Sequence, residues 1–496
     1  MKGLLNSIID DSTDLTPEIY LTGVLLAFIL TTPFFKQIWT AFGGCISLVA
    51  LLPLAFIYYN QYTSLIEGNN TVSFFGNMLF LDKQALFFKV LFFLSAIIYY
   101  LYYLTSNKSE DDERLGEYHF MIFSSLLGLN LLVMSSNLLI AFLAFEMISI
   151  ASYSLVLFGD NQRRPEAGIK YVIFGAVSTA VMLFGASIIY ALNGTLGFDT
   201  LFNTALIGGQ DYSLVVYLFS AMFLVGGLFK LSIFPFHVWV PDVYQSIPIK
   251  LASFFSYAPK IAGLAFILNV MDAIPDAKNH IVLVSFLGVL LIITLFVANL
   301  SALRQKNAKR LLAYSSITHS AYLLVGVFAY STSGIESAMY YSIVYLFLNF
   351  ASFYLIETLV KISGSEQIKS FSGLGVNRPF LGSLVVLTMI GLTGLPPTFG
   401  FMGKVYLFVS VWEHPLFELN NIYFWVLVLG LLNVVIALFY YLKIPFYMFF
   451  REQGKEFEEK EKETAYQKVL SVVLSLPIFV LFFFNDWIFG LIHLFI

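Results

Sequence analysis

The composition of this 496-residue chain excludes an ordinary soluble protein. Hydrophobic residues make up 59% of it and Asp, Glu, Lys and Arg only 12%, about half the usual share for a soluble domain. Such a chain cannot cover its surface with polar groups, so lipid must be its main solvent. The net charge of −4 is spread over loops, which leaves no nucleic-acid-binding surface. The single cysteine, Cys45, excludes an internal disulfide and any cysteine-ligated zinc or iron–sulfur site.

The apolar runs predict fourteen membrane-spanning helices. The N-terminus is acidic and lacks the basic region and cleavage site of a secretory signal peptide, so the first run is predicted to be a permanent span. A spanning helix needs about 20 apolar residues. The runs are 18–35, 37–59, 84–105, 118–135, 137–158, 167–192, 213–244, 249–272, 279–300, 308–331, 335–361, 379–413, 421–446 and 467–487. Only Ser135, Ser136 and Asn137 mark the limit between the fourth and fifth spans.

Lysine and arginine in the loops predict the orientation of the chain. The loops after even-numbered spans hold few lysines and arginines beyond Lys83 and Lys278. Because positive residues favour the cytoplasmic side, both termini are predicted to face away from the cytoplasm. Segment 60–82 lies on the same outer side and is predicted to form a short hairpin. The loops after odd-numbered spans hold Lys108, Arg114, Arg163, Arg164, Arg304, Lys306, Lys309, Arg310, Lys369, Arg378, Arg451, Lys455, Lys460 and Lys462.

Two spans are predicted to be broken helices. The seventh contains Ser-Ile-Phe-Pro-Phe-His at 232–237, and the twelfth contains Gly-Leu-Thr-Gly-Leu-Pro-Pro-Thr-Phe-Gly at 391–400. Proline and adjacent glycines free backbone groups, which in lipid must face protein or a water-filled cavity. Pro235 and Pro396 lie 161 residues and five spans apart. A repeat displaced by an odd number of spans is inverted in the membrane, as in many transporters.

The predicted fold is therefore an all-α polytopic membrane protein with two inverted five-helix repeats. Spans one to three occupy 1–117, the first repeat (spans four to eight) 118–272, and the second repeat (spans nine to thirteen) 273–446. A charged loop and span fourteen occupy 447–496.

Five ionisable residues are predicted to be buried in the spans and to handle protons. They are Glu146, Lys230, Lys260, His319 and Lys404. An ionisable residue at mid-bilayer costs about 2.5 kcal/mol or more and is therefore a functional candidate by default. Burial disfavours the charged ammonium and a nearby carboxylate favours it, so a glutamate can switch a lysine between holding and releasing a proton.

Structural interpretations remain open for two of these residues. Glu146 is also consistent with an ion pair that only holds two helices together. His319 is equally consistent with a hydrogen bond across helices, because it lies among Ser315, Ser316, Thr318 and Ser320.

Other polar residues of the spans are not included in the predicted proton path. Lys170 and Lys443 lie near cytoplasmic span ends, where snorkelling explains them better. Glu357 is ambiguous. His237 and Asp242 flank the seventh break and are predicted to line a cytoplasmic opening.

The sequence contains no evident energy source for pumping. It has no Walker A motif, no dinucleotide-binding G-x-G-x-x-G between a strand and a helix, and no convincing pair of histidine ligands for haem among its six histidines. The energy is therefore expected to come from an ion gradient or from a partner protein.

Four motifs occur in order along the chain: GGLFKLSIFPFHVWVPD at 226–242, YAPK at 257–260, KRLLAYSSITHSAY at 309–322 and GLPPTFGFMGK at 394–404. Together they resemble the antiporter-like subunits of respiratory complex I, which are similar to the large subunits of Mrp-type sodium/proton antiporters. The resemblance covers residues 80–490 and implies fourteen helices with two inverted five-helix repeats.

The resemblance also implies a proton path. Glu146 and Lys230 would be the coupled pair of one half-channel, Lys260 the central relay, and Lys404 the exit-side lysine of the other half-channel. His319 would connect them.

The implied setting is a bacterial inner membrane, with other antiporter-like and small helical subunits of complex I as partners. The chain itself is expected to hold no cofactor: no flavin, iron–sulfur cluster or quinone chemistry. Redox energy would arrive through neighbouring subunits, so the chain would be enzymatic only as part of a proton-translocating NADH:quinone oxidoreductase.

Within the family, the N-type of subunit is favoured. The L-type has a long C-terminal lateral helix, whereas this chain ends at Ile496, and the M-type is expected to carry a glutamate at the position of Lys404. One alternative function is a subunit of an Mrp-type cation/proton antiporter, which shares the fold and the Glu–Lys arrangement. A second is a stand-alone solute transporter built on the inverted repeat.

Overall fold

The computed structural model describes residues 15–67, 71–105, 115–158, 164–198, 213–274, 281–418, 420–452 and 463–496, and these are almost entirely helical. The helices are α1 (Thr16–Thr31), α2 (Lys36–Glu67), α3 (Lys83–Thr105), α4 (Leu115–Val133), α5 (Leu138–Leu157), α6 (Arg164–Asn193), α7 (Ser213–Leu231), α8 (Val240–Ser246), α9 (Ile249–Ala273), α10 (Ile281–Leu303), α11 (Ala308–Ala329), α12 (Thr332–Ser363), α13 (Leu374–Asn377), α14 (Pro379–Thr393), α15 (Phe399–Trp412), α16 (Asn421–Tyr441), α17 (Lys443–Phe450), α18 (Ala465–Val480) and α19 (Asn485–His493).

The fourteen predicted spans coincide with these helices, taken singly or as consecutive pairs. Within the described residues, ten helices are long and apolar enough to cross a membrane, and four more are shorter but apolar. The chain is therefore a polytopic α-helical membrane protein. The limit between the fourth and fifth spans is confirmed, because α4 ends at Val133 and α5 begins at Leu138. The side chain of Asn137 caps α5 by accepting a hydrogen bond from the Leu139 amide.

The predicted hairpin is confirmed but is shorter than expected. Strands β1 (Thr71–Phe74) and β2 (Leu79–Asp82) pair antiparallel. Their turn uses positive φ at Gly76 and Asn77, residue types that tolerate this conformation. Residues 60–67, predicted to belong to the hairpin, instead continue helix α2.

The fourteenth span is confirmed as a helix long and apolar enough to cross a membrane, but it ends before the predicted limit at residue 487. Helix α18 ends at Val480, a 3₁₀ turn follows, and α19 begins at Asn485. The side chain of Asn485 donates to the Phe482 carbonyl across the turn. The polar pair Asn485 and Asp486 starts the new helix.

Both predicted helix breaks are present. Span seven consists of α7 and α8, and in the break the Phe234 amide donates to the Thr294 hydroxyl at 3.0 Å. Span twelve consists of α14 and α15, and Gly394 ends α14 with φ of +82°. Glycine is the usual residue at this left-handed position after a helix.

The chain divides into two compact units. The first comprises Met1–Lys230, Ile261–Ala277 and Leu494–Ile496, and the second comprises Leu231–Lys260 and Lys278–His493. These limits differ from those of the four segments predicted from the sequence. The boundaries of the two repeats stay a prediction.

Each unit has its own polar interior. In the first, Glu18 of α1 and Lys89 of α3 form a buried ion pair at 2.8 Å. In the second, α11 is almost completely buried. Helix α11 carries His319, so this residue lies at the core of the second unit.

Candidate functional site

Lys230 lies at the end of α7, directly before the break of span seven. Its side chain is 3% exposed, and its Nζ donates to the Ser149 hydroxyl at 2.8 Å. Ser149 follows Glu146 by three residues on α5, a spacing that puts both side chains on one face of the helix. Ser149 therefore brings Lys230 to the neighbourhood of Glu146.

Glu146 is half-buried by the other residues of the chain, and its predicted place at the middle of the bilayer stays a prediction. It shares its helical face with Leu143 and Ile150, whose side chains are 52% and 58% exposed. Its Oε1 accepts a hydrogen bond from the Thr179 hydroxyl of α6 at 3.0 Å. In the described part of the chain it forms no direct ion pair with Lys230.

Lys260 is completely buried on α9 in the second unit. Its Nζ donates to both oxygens of Ser316 on α11, to the carbonyl at 2.8 Å and to the hydroxyl at 3.0 Å. The Ser316 hydroxyl donates onward to the Ala313 carbonyl at 2.7 Å. Lys260 is thus held by neutral acceptors.

Lys404 is bound by the break of its own span. Its Nζ donates to the carbonyls of Leu392 at 3.0 Å and Thr393 at 2.7 Å, in the last turn of α14. The last carbonyls of a helix have no partner within it, and the helix dipole makes this end favourable for a cation. Nζ also lies 4.6 Å from the centre of the Tyr322 ring, a cation–π distance. The break therefore creates the site that the lysine occupies.

His319 is enclosed by tyrosines from two other helices. Its Nδ1 lies 2.7 Å from the Tyr341 hydroxyl of α12, and its Nε2 lies 3.2 Å from the Tyr441 hydroxyl of α16. The ring of Tyr345 stacks on the imidazole, with centroids 4.9 Å apart. Hydrogen bonds from His319 across helices, one of its two open interpretations, are therefore present.

These tyrosines are the main site residues that sequence reasoning missed. The chain has 29 tyrosines, and within apolar spans they count as hydrophobic residues. The available signal was the four-residue spacing of Tyr341 and Tyr345, which puts both on one face of α12.

The remaining polar candidates lie in ion pairs or local contacts. Asp242, predicted to line a cytoplasmic opening, accepts a hydrogen bond from Arg310 at 2.8 Å. Glu357, ambiguous from sequence, pairs with Lys361 one turn along α12 at 2.8 Å. Lys170 pairs with Glu166 at 2.7 Å and is 40% exposed, as expected for a lysine at a span end.

Lys443 and His237 are the remaining two of these polar residues. Lys443 donates to the Gln305 carbonyl at 2.5 Å. The buried His237 Nδ1 has no hydrogen-bond partner among the described residues.

Comparison with known proteins identifies the family. Residues 135–436 match the family described as NADH:quinone oxidoreductase/Mrp antiporter, transmembrane. The chain is 33% identical over 446 residues to NADH-quinone oxidoreductase subunit N of Chlorobium chlorochromatii strain CaD3, an alignment that covers 88% of this chain and 85% of that protein. The chain belongs to the NADH:quinone oxidoreductase/Mrp antiporter family of membrane subunits.

Two solved structures share the fold. A chain of respiratory complex I from Thermus thermophilus superposes with a TM-score of 0.76 at 25% identity, covering 95% of this chain and 98% of that one. A chain of the Mrp complex from Dietzia sp. DQ12-45-1b superposes with a TM-score of 0.84, covering 97% of each chain. At 15% identity, the second likeness concerns the fold alone.

Proposed function

We propose that this chain is the N-type, proton-translocating subunit of an NADH:quinone oxidoreductase in a bacterial inner membrane. The observation that carries the proposal is a set of three buried lysines, each held only by neutral oxygens. Among the described residues, Lys230, Lys260 and Lys404 have no carboxylate within ion-pair distance. An ionisable residue buried in a membrane span is costly and is therefore a functional candidate by default.

The neutral partners suit a proton carrier. A charged ammonium in a low-dielectric interior is stabilised here by neutral groups alone, which are hydroxyls, carbonyls and, for Lys404, the Tyr322 ring. Its charge is therefore sensitive to any other charge that approaches. Lys230 has such a modulator in Glu146, which lies near its partner Ser149. We assign Glu146 and Lys230 to one half-channel, Lys260 to the central relay and Lys404 to the exit side of the other half-channel. His319 connects the last two.

The energy for this movement must come from outside the chain. Moving one charge against 100 mV costs about 2.3 kcal/mol. We propose that neighbouring membrane subunits supply it from redox chemistry and that this chain binds no cofactor of its own. We further propose that both termini face away from the cytoplasm, following the loop lysines and arginines.

Alanine variants of the complex test the path. Glu146→Ala, Lys230→Ala and Lys404→Ala are each expected to lower NADH-driven proton uptake by inverted membrane vesicles about tenfold or more, because each removes a proton-transfer group. The complex should still assemble on native gels. The control is Lys170→Ala, which removes a 40% exposed lysine and should leave uptake unchanged. Full uptake in Lys404→Ala would remove that residue from the path. Loss of the assembled complex in Glu146→Ala would instead support the helix-holding interpretation of that residue.

An Mrp-type cation/proton antiporter subunit is the second candidate, since the matched family includes both kinds of protein. The two functions differ in their partners. The complex purified through this chain should contain flavin and iron–sulfur centres, visible by absorbance and by electron paramagnetic resonance. A purified assembly without any redox centre would reject the oxidoreductase and favour the antiporter.

A further inference from the structure

A continuous chain of hydrogen bonds runs through the core of the second unit. It begins at the Ser315 hydroxyl, which lies 2.5 Å from the Tyr441 hydroxyl. Tyr441 contacts His319 Nε2, and His319 Nδ1 contacts the Tyr341 hydroxyl. All four side chains are 3% exposed or less. Residues of three helices thus form one buried hydrogen-bonded line, Ser315–Tyr441–His319–Tyr341.

One end of this line lies beside the Lys260 site. Ser315 is followed directly by Ser316, both of whose oxygens accept from Lys260 Nζ. The Tyr345 hydroxyl donates to the carbonyl of Ser256, one turn before Lys260, which fixes the ring that stacks on the imidazole. Tyr345 is therefore a positioning residue for His319.

The other end lies beside the Lys404 site. The Tyr341 ring packs against Gly403, where an added Cβ would lie only 2.8 Å from the ring. The Tyr341 ring also lies 6.2 Å from the Tyr322 ring, over which Lys404 Nζ is placed. The buried Tyr322 hydroxyl has no hydrogen-bond partner among the described residues. Tyr322 is thus the residue that lies between Tyr341 and Lys404.

The hydroxyls and the imidazole of this line can transfer a proton in one direction at a time. A neutral imidazole has one N–H donor and one acceptor nitrogen, so one tyrosine donates to His319 while the other accepts from it. A proton that arrives at Ser315 displaces the Ser315 proton to Tyr441, and the Tyr441 proton moves to Nε2. The Nδ1 proton then moves to Tyr341, which releases its own proton toward Lys404. One proton enters, one leaves, and every group ends neutral with its hydrogen bond reversed.

We propose that Tyr341 and Tyr441 are proton-relay residues that connect Lys260 to Lys404 through His319. This inference rests on the proposed function, because it names further residues of the same path. It also assigns His319 a role in transfer rather than in helix packing alone.

Phenylalanine substitutions in the intact complex test the relay, since they remove a hydroxyl and keep the ring. Tyr341→Phe and Tyr441→Phe are each expected to lower NADH-driven proton uptake by inverted vesicles about tenfold. The solvent deuterium isotope effect on uptake should rise, because proton transfer becomes the slow step. A packing role alone would not raise the isotope effect.

Two matched controls remove equally buried hydroxyls outside the line. Tyr340→Phe alters the residue next to Tyr341. The Tyr340 hydroxyl, which this variant removes, donates to Asn485. Tyr257→Phe removes a hydrogen bond to the Ser342 carbonyl. Both variants should retain the uptake rate and the isotope effect of the unaltered complex.

The outcomes separate the relay from the proposed function. If both relay variants pump at the control rate while Lys404→Ala does not, the relay is wrong and the proposed function stands. If Lys404→Ala and Lys230→Ala also pump fully, the proposed function fails. Should Tyr341→Phe prevent assembly, Tyr441→Phe on a different helix gives the same test. A reduced uptake with an unchanged isotope effect would also overturn the relay.

Discussion

Replacing Gly394 by alanine is expected to displace Lys404 without unfolding the second unit. An added Cβ at this position would lie 2.8 Å from Lys404 Cδ and 3.3 Å from Nζ. Since ordinary contacts begin at 3.4 Å, the lysine stem must move by roughly 0.6 Å. Its hydrogen bonds to the carbonyls of Leu392 and Thr393 then lengthen. Because the lysine chain is flexible, the change should appear in function more than in stability.

The expected loss can be estimated from the displacement. Misplacing a reacting group by about 1 Å costs about 100-fold in rate, so a shift of roughly 0.6 Å predicts about a tenfold loss of proton uptake. Gly394 also has φ of +82°, which costs an alanine about 1–2 kcal/mol. This backbone cost must be separated from the effect on Lys404.

Gly194→Ala is the matched control. Gly194 also follows a helix in the left-handed conformation, with φ of +71°, but an added Cβ there meets no atom within 4 Å. Both variants should therefore lose similar resistance to thermal inactivation, whereas only Gly394→Ala should lose uptake in inverted vesicles. Equal uptake in the two variants would refute the reasoning that the close approach of Gly394 positions Lys404.

Two further variants test contacts of the first unit. Ser149→Ala removes the hydroxyl that binds Lys230, at a cost of about 1–3 kcal/mol for the buried group left unpaired. Proton uptake should fall, whereas Ser152→Ala, which removes a hydroxyl bound to a carbonyl of its own helix, should not change it. Glu18→Gln removes the negative partner of the fully buried Lys89 and should lower the free energy of unfolding by about 3–5 kcal/mol. Adding Lys89→Met should recover much of this loss in thermal inactivation assays; no recovery would contradict the ion-pair explanation.

Hydropathy and backbone chemistry predicted most of the fold. Spans depend on the length of apolar runs, and breaks depend on proline and glycine, so both follow from local sequence. The end of the fourteenth span was misplaced because the run 467–487 continues past the turn at Phe484 and the new helix start at Asn485. A run of apolar residues does not reveal that one helix ends and another begins within it.

The site was predictable only in part, for a different reason. Buried lysines stand out because charge is rare in lipid, whereas a tyrosine in a span has the hydropathy pattern of a core residue. The contacts of His319 with Tyr341 and Tyr441 join positions 22 and 122 residues apart. They depend on how three helices are rotated about their axes. Helix rotation also decides that Glu146 is half-buried and contacts Thr179, which sequence position alone did not show.

The Lys404 site has a consequence for biosynthesis. The lysine and its two carbonyl acceptors lie only 11 and 12 residues apart in one broken span. A growing chain therefore delivers the charge and its ligands to the membrane together. The cost of inserting a lysine, about 2.5–3.5 kcal/mol at a helix centre, is offset inside the segment being inserted. The tyrosines around His319 come from two other helices and can assemble only after those later spans have entered.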